Sequence, residues 1–261
     1  MRRRRTIGLG AALAIPTLAL AQSFAPRGSQ VFEVGSVKPT PPNTKSTGVR
    51  PAGGNRYIGS GIPLRSYLYV AYQVRPEQIV GGPSWMDKEL YDLNAKADQP
   101  TSIETLHIML QNILTDRFKL QFHFEKKDMR AYVLTVDKNG PKNLTAHPNP
   151  RAGDVALDQS LGPGLNKWHA HCASMDFFAW RLSQTVPDPI INQTGLESCF
   201  DFDLNFVREQ FPGSPVVPPL EAVVGPSIYD ALKNQLGLKL ESKKAPVEVM
   251  VIDHAERPTE N

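Results

Sequence analysis

The chain carries the same order of secondary-structure signals twice, and no other feature of its sequence constrains the fold as strongly. Residues 55–138 and residues 166–261 each begin with a short strand and a helix. Each then continues with two short strands and a second helix, and ends in apolar strands. We therefore predict an α+β fold with two tandem β-α-β-β-α-β-β units that arose by internal duplication. Residues 22–54 are predicted to be a lead-in with one strand, and residues 139–165 a linker rich in proline and glycine.

The first helix of each repeat is predicted from apolar residues at helical spacing. They are Leu64, Tyr67, Leu68 and Ala71 in the first repeat, and Met175, Phe178, Ala179 and Leu182 in the second. Ser174 and Ser227 are predicted N-caps in the second repeat, and Thr101 is the predicted N-cap of the second helix in the first. Six apolar positions from Leu110 to Phe122 align with six from Ile228 to Leu240, and their spacing changes from helical to alternating. Each second helix should therefore run into a strand, with a turn before the last strand.

The N-terminus has the pattern of a cleavable secretory signal. Arginines at 2–5 precede an uncharged run that ends in Ala19-Leu20-Ala21, so residues 1–21 should be removed by cleavage before Gln22. The run is too short to span a bilayer. Without the signal, 25 basic residues face 26 acidic ones, which gives no electrostatic drive toward nucleic acid or anionic membrane. We expect a soluble protein of the periplasm or the extracellular space, with no membrane span in the mature chain.

Cys172 and Cys199 are the two cysteines of the chain. In an oxidising compartment they are predicted to form one disulfide, worth about 3 kcal/mol. The alternative is a reactive thiol beside His171.

Several stretches along the chain together resemble a known family. They are residues 32–39, 81–85, 91–96, 110–122, 193–196, 235–241 and 251–261. With them the chain resembles DUF3738, an exported, soil-associated bacterial family of unknown function. The resemblance implies export and a bacterial source. Because some relatives join the domain to a membrane metallopeptidase of the antibiotic-sensor type, it also points to sensing, but it supplies no catalytic residues. The order of elements is also similar to the short N-terminal domain of secretins and TonB-dependent receptors, which binds other envelope proteins.

Few residues suggest chemistry. His169 and His171 would share one face of a strand, with Cys172 on the other, but a zinc site needs a further ligand, and we predict neither metal nor cofactor. Asp92 and Asp201 occupy equivalent places in the two repeats. They could act as paired carboxylates in acid–base catalysis, or share a structural role by accepting backbone hydrogen bonds. Trp85 follows a turn and is expected to anchor the core or an interface.

These observations favour an exported cell-envelope module that binds another envelope protein and has no catalysis of its own. The contact surface should lie between the two repeats or along exposed strand edges. An envelope hydrolase that uses acidic or histidine residues, and a domain that senses a small ligand, are the alternatives. The candidate functional surface comprises Trp85, Asp92, Asp201, His169 and His171.

Overall fold

A computed structural model describes residues 30–147, 157–161, 165–207 and 224–259. The predicted signal at 1–21 and its cleavage site lie outside these ranges. The architecture is α+β, as predicted, and the described residues form three four-stranded sheets and four α-helices. In these four ranges, no helix has the length and apolar character needed to cross a membrane.

Twelve strands and four helices follow one another within the described part of the chain. The N-terminal half contains β1 Val34–Pro39, β2 Gly48–Ala52, β3 Arg56–Pro63, α1 Leu64–Ala71, β4 Ile79–Gly81, β5 Leu90–Lys96, α2 Ile103–Phe118 and β6 Gln121–Val136. The C-terminal half contains β7 Thr145–His147, β8 Asp158–Leu161, β9 Leu165–Ser174, α3 Met175–Ser183, β10 Ile190–Asn192, β11 Cys199–Val207, α4 Ile228–Ala231 and β12 Leu238–His254. A π-helical turn, Leu232–Leu236, joins α4 to β12.

Each half forms one outer sheet, and the two halves share the central sheet. The outer sheets are antiparallel, with strand orders β1-β5-β3-β2 and β7-β11-β9-β8. In the central sheet, β6 and β12 pair antiparallel along their length. β4 of the N-terminal half joins β12 in parallel, and β10 of the C-terminal half joins β6 in parallel. The central sheet therefore requires strands from both halves.

The helices bury the faces that the sequence predicts. The four apolar positions of α1, and the four named for α3, are all buried in the hydrophobic core. Ser174 and Ser227 cap α3 and α4, because their hydroxyls accept the backbone N–H groups of Phe177 and Asp230. The predicted cap of α2 at Thr101 is wrong by one residue, since Ser102 accepts the N–H of Thr105.

The last two strands of each predicted unit are one continuous strand, which corrects the β-α-β-β-α-β-β order. The charged runs at 125–128 and 241–244 suggested turns. They lie instead inside β6 and β12, with exposed side chains. Residues 125–128 fall in the two-stranded part of the ribbon between the short contacts with β10 and β4, and residues 241–244 pair with 130–133 of β6. Without a buried face, the apolar alternation that marks a strand is lost.

Further strands lie in segments that the sequence left without them. β2 lies in the lead-in, and β7 and β8 lie in the predicted linker. Each is an edge strand of three to five residues, and such short edge strands carry little hydrophobic pattern.

The predicted disulfide is present. Cys172 and Cys199 are joined, with their Cα atoms 4.6 Å apart, and link β9 to β11. The alternative of a reactive thiol at Cys172 is therefore wrong.

Candidate functional site

The Asp92 carboxylate closes a β-bulge in the first outer sheet. Ser60 and Gly61 of β3 lie together opposite Asp92 of β5, and Gly61 has a positive φ of 65°. Oδ1 of Asp92 accepts the Gly61 N–H at 2.9 Å and the hydroxyls of Ser60 and Thr40 at 2.8 and 2.7 Å. Partial burial acts to raise the pKa of Asp92, but the hydrogen bonds from Thr40, Gly61 and Ser60 outweigh it and lower the pKa below its ordinary value.

Asp201 has the matching position in the other outer sheet. His171 and Cys172 of β9 lie opposite Asp201 of β11, and Cys172 has a positive φ of 48°. Oδ1 of Asp201 accepts the Cys172 N–H at 2.8 Å and lies 3.1 Å from Nδ1 of His171. Nε2 of His147 lies 2.7 Å from Oδ2. Burial again acts to raise the pKa of Asp201, but the Cys172 and His147 hydrogen bonds lower it overall.

Both aspartates therefore hold a bulge and join three neighbouring strands. Each carboxylate is engaged by a bulge N–H, by the side chain before that N–H and by a side chain at the end of an edge strand. This geometry matches the structural interpretation of Asp92 and Asp201. The two residues lie in different sheets, and nothing in the geometry pairs their carboxylates with each other.

The two predicted histidines lie on the exposed face of β9, and Cys172 is buried on the opposite face, as expected. Nδ1 of His169 lies 2.8 Å from Asp203, while His171 contacts Asp201. His147, which the sequence did not single out, joins His171 at Asp201, with ring centroids 5.7 Å apart. Across the described ranges, no three histidine, cysteine or acidic side chains are grouped in a way that could hold a metal ion.

Trp85 belongs to the core. Its ring stacks on Phe118 at 6.1 Å and meets the edge of Tyr91 at 6.3 Å, and 9 % of the residue is exposed. The guanidinium of Arg257 lies 5.3 Å from the ring centroid and pairs with Glu89 at 2.6 Å. Trp85 thus helps to hold the C-terminal segment on the fold, as an anchor rather than as part of a binding surface.

The described part of the protein contains a cavity of about 790 Å³ that the sequence did not reveal. Residues from β2, β3, α1 and α2 line it on one side, and residues from α3 line it on the other. α3 is held in place by Arg75, whose guanidinium donates to the carbonyls of Ser183 and, at 2.8 Å, Val186 just beyond the helix. The cavity therefore has walls from both halves of the chain.

A buried polar chain lies in the floor of this cavity. Nε2 of His107 lies 3.0 Å from the Tyr57 hydroxyl, and Nδ1 lies 2.9 Å from the Gln73 side-chain nitrogen. Burial, with a smaller effect of the nearby Arg181, lowers the pKa of His107 to about 4, so the ring is neutral at pH 7. Burial also raises the pKa of the Tyr57 hydroxyl, which therefore stays protonated.

The wall from α3 is aromatic and carries one cation. Trp180 lies 5.6 Å from both the Tyr69 and the Phe177 ring centroids, and its indole Nε1 is buried with no hydrogen-bond acceptor among the residues described. Arg181 is partly buried, and this burial lowers its pKa, although the guanidinium remains charged. Its Nη1 donates to Gln184 at 3.3 Å.

The cavity can hold an organic molecule of moderate size, with an apolar surface, hydrogen-bonding groups and a positive charge in its walls. Sequence reasoning missed it because the lining residues come from two stretches, 46–107 and 157–184, that are separated by a long segment of chain. The one local signal was Trp180-Arg181, an aromatic residue and a cation adjacent in a helix that is otherwise mostly apolar.

Comparison with known proteins gives a family. The DUF3738 profile, which describes a protein of unknown function, matches residues 65–255. No curated protein and no solved structure matches the chain. The matched range runs from α1 into the end of the chain and contains the bulge aspartates, the disulfide and the aromatic wall of the cavity. The chain belongs to the DUF3738 family, whose function is unknown.

Proposed function

We propose that this protein is a binding module that works outside the cytoplasm, holds a small organic ligand in the cavity and has no catalysis of its own. The cavity carries the proposal. Its volume of about 790 Å³ lies within the range of roughly 300–1,000 Å³ typical of ligand sites, and its walls combine apolar side chains with a few polar groups. Among the alternatives raised by the sequence, this proposal favours the ligand-sensing one.

The proposed location rests on the secretory pattern at 1–21 and on the disulfide. Disulfides persist in oxidising compartments, and the Cys172–Cys199 bond is compatible with export. We therefore place the mature protein, beginning at Gln22, in the periplasm or the extracellular space.

We also propose that the fold arose by duplication of one unit. The outer sheets support this, because β1, β5, β3 and β2 correspond in order to β7, β11, β9 and β8. So do the two aspartates, each opposite a two-residue bulge, and the left-handed residues Lys119 and Gly237 just after α2 and the π-helical turn. The proposed likeness to the short N-terminal domain of secretins and TonB-dependent receptors rests on the order of elements.

A protein partner is the second candidate function. Within the described residues, the outer edge of β6 pairs with another strand over three residues, at β10, and the outer edge of β12 over three residues, at β4. The remaining edge of this long ribbon could accept a strand from an envelope protein.

Native mass spectrometry of the purified protein, after incubation with a small-molecule extract of the culture, tests the cavity proposal. We expect a bound mass that is lost in Ser66→Trp, which fills the cavity from α1. The control is Asn234→Trp, an exposed position in the π-helical turn outside the cavity lining, which should keep the bound mass. Equal adducts in both variants, or no adduct with the wild-type protein, would contradict the proposal. A pull-down from envelope extract with the same two variants tests the protein partner.

A further inference from the structure

The described walls of the cavity carry positively charged side chains and no acidic one. Two arginines, Arg50 and Arg181, belong to the lining, and no aspartate or glutamate does among the described residues. Arg50 lies at an exposed position of β2, whereas Arg181 is partly buried in α3. In the described ranges, Arg181 forms no ion pair, and its hydrogen bond goes to the neutral Gln184. A partly buried guanidinium in this state is stabilised by an anion that enters the cavity.

Among the described lining residues, the other charged side chain is that of Arg50, which lies at an exposed position. His107 is neutral at pH 7 and is already engaged by Tyr57 and Gln73. A ligand anion would therefore be attracted to the Arg181 side of the cavity, next to the aromatic wall.

The aromatic wall indicates the rest of the ligand. The ring centroid of Trp180 lies 5.6 Å from that of Tyr69 and 5.6 Å from that of Phe177. Aromatic groups stack on one another with centroids about 4.5–7 Å apart, so such a wall favours a flat ligand. The Trp180 residue is 8 % exposed, and its buried N–H lacks an acceptor in the described chain. Because this nitrogen has almost no accessible surface, a ligand in the cavity would meet the Trp180 ring and not the N–H group.

We infer that the ligand is a small aromatic carboxylate, whose carboxylate pairs with Arg181 and whose ring packs against Trp180. The inference rests on the proposed ligand-binding function. Arginine presents parallel N–H donors that match the two oxygens of a carboxylate, and the partly buried guanidinium of Arg181 matches one negative charge. The aromatic wall accounts for the apolar body of the ligand.

A matched pair of probes tests this inference on the whole protein. 2-Naphthoate and 2-naphthamide have nearly the same shape and differ in charge, and their affinities can be measured by isothermal titration calorimetry at pH 7. We expect naphthoate to bind at least about tenfold more tightly, because charge-assisted hydrogen bonds exceed neutral ones by that order. Equal affinities, or tighter binding of the amide, would overturn the inference.

Substitutions test whether Arg181 provides the positive charge that selects the carboxylate. Arg181→Gln should reduce the preference for naphthoate to about twofold or less, while Arg181→Lys should keep part of it. Lys233→Gln, an exposed cation outside the cavity lining, should leave it unchanged. Circular dichroism shows whether each variant is folded. If Arg181→Gln does not fold, the affinities of the two probes for the wild-type protein and for Arg181→Lys still test the inference. A preference that persists in folded Arg181→Gln would refute the role of Arg181.

The outcomes separate this inference from the function on which it rests. If both probes bind equally and Ser66→Trp abolishes both, the cavity binds ligands but does not select anions. If neither probe binds, the inference on ligand class is wrong. In that case, a culture-derived adduct that Ser66→Trp removes would still support the binding function.

Discussion

Acidification should destabilise this protein between about pH 6.5 and pH 4 through one buried side chain. His107 is 3 % exposed in α2, with its two ring nitrogens engaged by Tyr57 and Gln73 and the guanidinium of Arg181 nearby. Burial, and to a smaller extent Arg181, lowers its pKa from 6.5 to about 4. The unfolded chain therefore binds a proton at a pH where the folded protein does not, and stability falls as the pH falls through this interval.

The magnitude follows from the size of the pKa change. One pKa unit corresponds to about 1.4 kcal/mol, and a change of roughly 2.5 units costs about 3 kcal/mol in the free energy of unfolding by pH 4. Below that pH, His107 is protonated in both states and adds no further slope. The loss is a large fraction of the roughly 5–15 kcal/mol by which a domain is stable, so it should be readily measured.

Urea denaturation at half-unit steps from pH 7.5 to pH 4 measures the effect. His107→Gln removes the titrating ring, and the difference in unfolding free energy between wild type and variant should change by about 3 kcal/mol across the range. His123→Gln is a control of opposite sign. Hydrogen bonds from His123 to Asp253 and Glu125 raise the pKa of His123, so its contribution is present at low pH and is lost as the pH rises. A flat difference curve for His107→Gln would refute the reasoning.

Three further predictions concern stability. Replacing both Cys172 and Cys199 by serine should cost about 3 kcal/mol, because the crosslink spans 27 positions, and urea denaturation of the double variant checks this. Asp92→Asn should lower the free energy of unfolding by about 1–2 kcal/mol at pH 7, because solvent screens this partly exposed site. Urea denaturation should show that the loss becomes smaller as the pH falls through the lowered pKa of Asp92. Phe178→Ala should cost about 3–5 kcal/mol and lower the midpoint of a thermal melt, because its fully buried ring contacts Trp168 and Phe202.

Much of the fold could be predicted because local patterns agree with the final packing. The apolar positions of α1 and α3 are buried as their spacing indicates, and the two cysteines form the predicted disulfide. The long strands β6 and β12 were predicted as shorter pieces, because the middle of the ribbon has no buried face and its charges imitate a turn. The pairing of β4 with β12 and of β10 with β6 joins the two halves of the chain. It depends on contacts between distant segments, and no local pattern encodes it.

The candidate site was largely missed for a related reason. Asp92 and Asp201 were recognised as equivalent, yet a carboxylate that closes a bulge looks the same in sequence as one that performs chemistry. Tyr57, His107 and Arg181 are each ordinary residues in their own segments, and their meaning comes from the cavity that they share. His147 lies in a short edge strand with no recognisable pattern.

The shared central sheet gives ligand binding a way to act on the whole fold. β4 completes the edge of β12 and β10 completes the edge of β6, so neither half can form its part of this sheet alone. The cavity also needs both halves, because β2, β3, α1 and α2 supply one part of its lining and α3 supplies another. A ligand that contacts both sides binds the assembled protein and not its separated halves. At a hundred times its dissociation constant it should add about 2.7 kcal/mol to the free energy of unfolding. On the proposed binding function, ligand occupancy and the pairing of the two halves would therefore be coupled, as a sensing module requires.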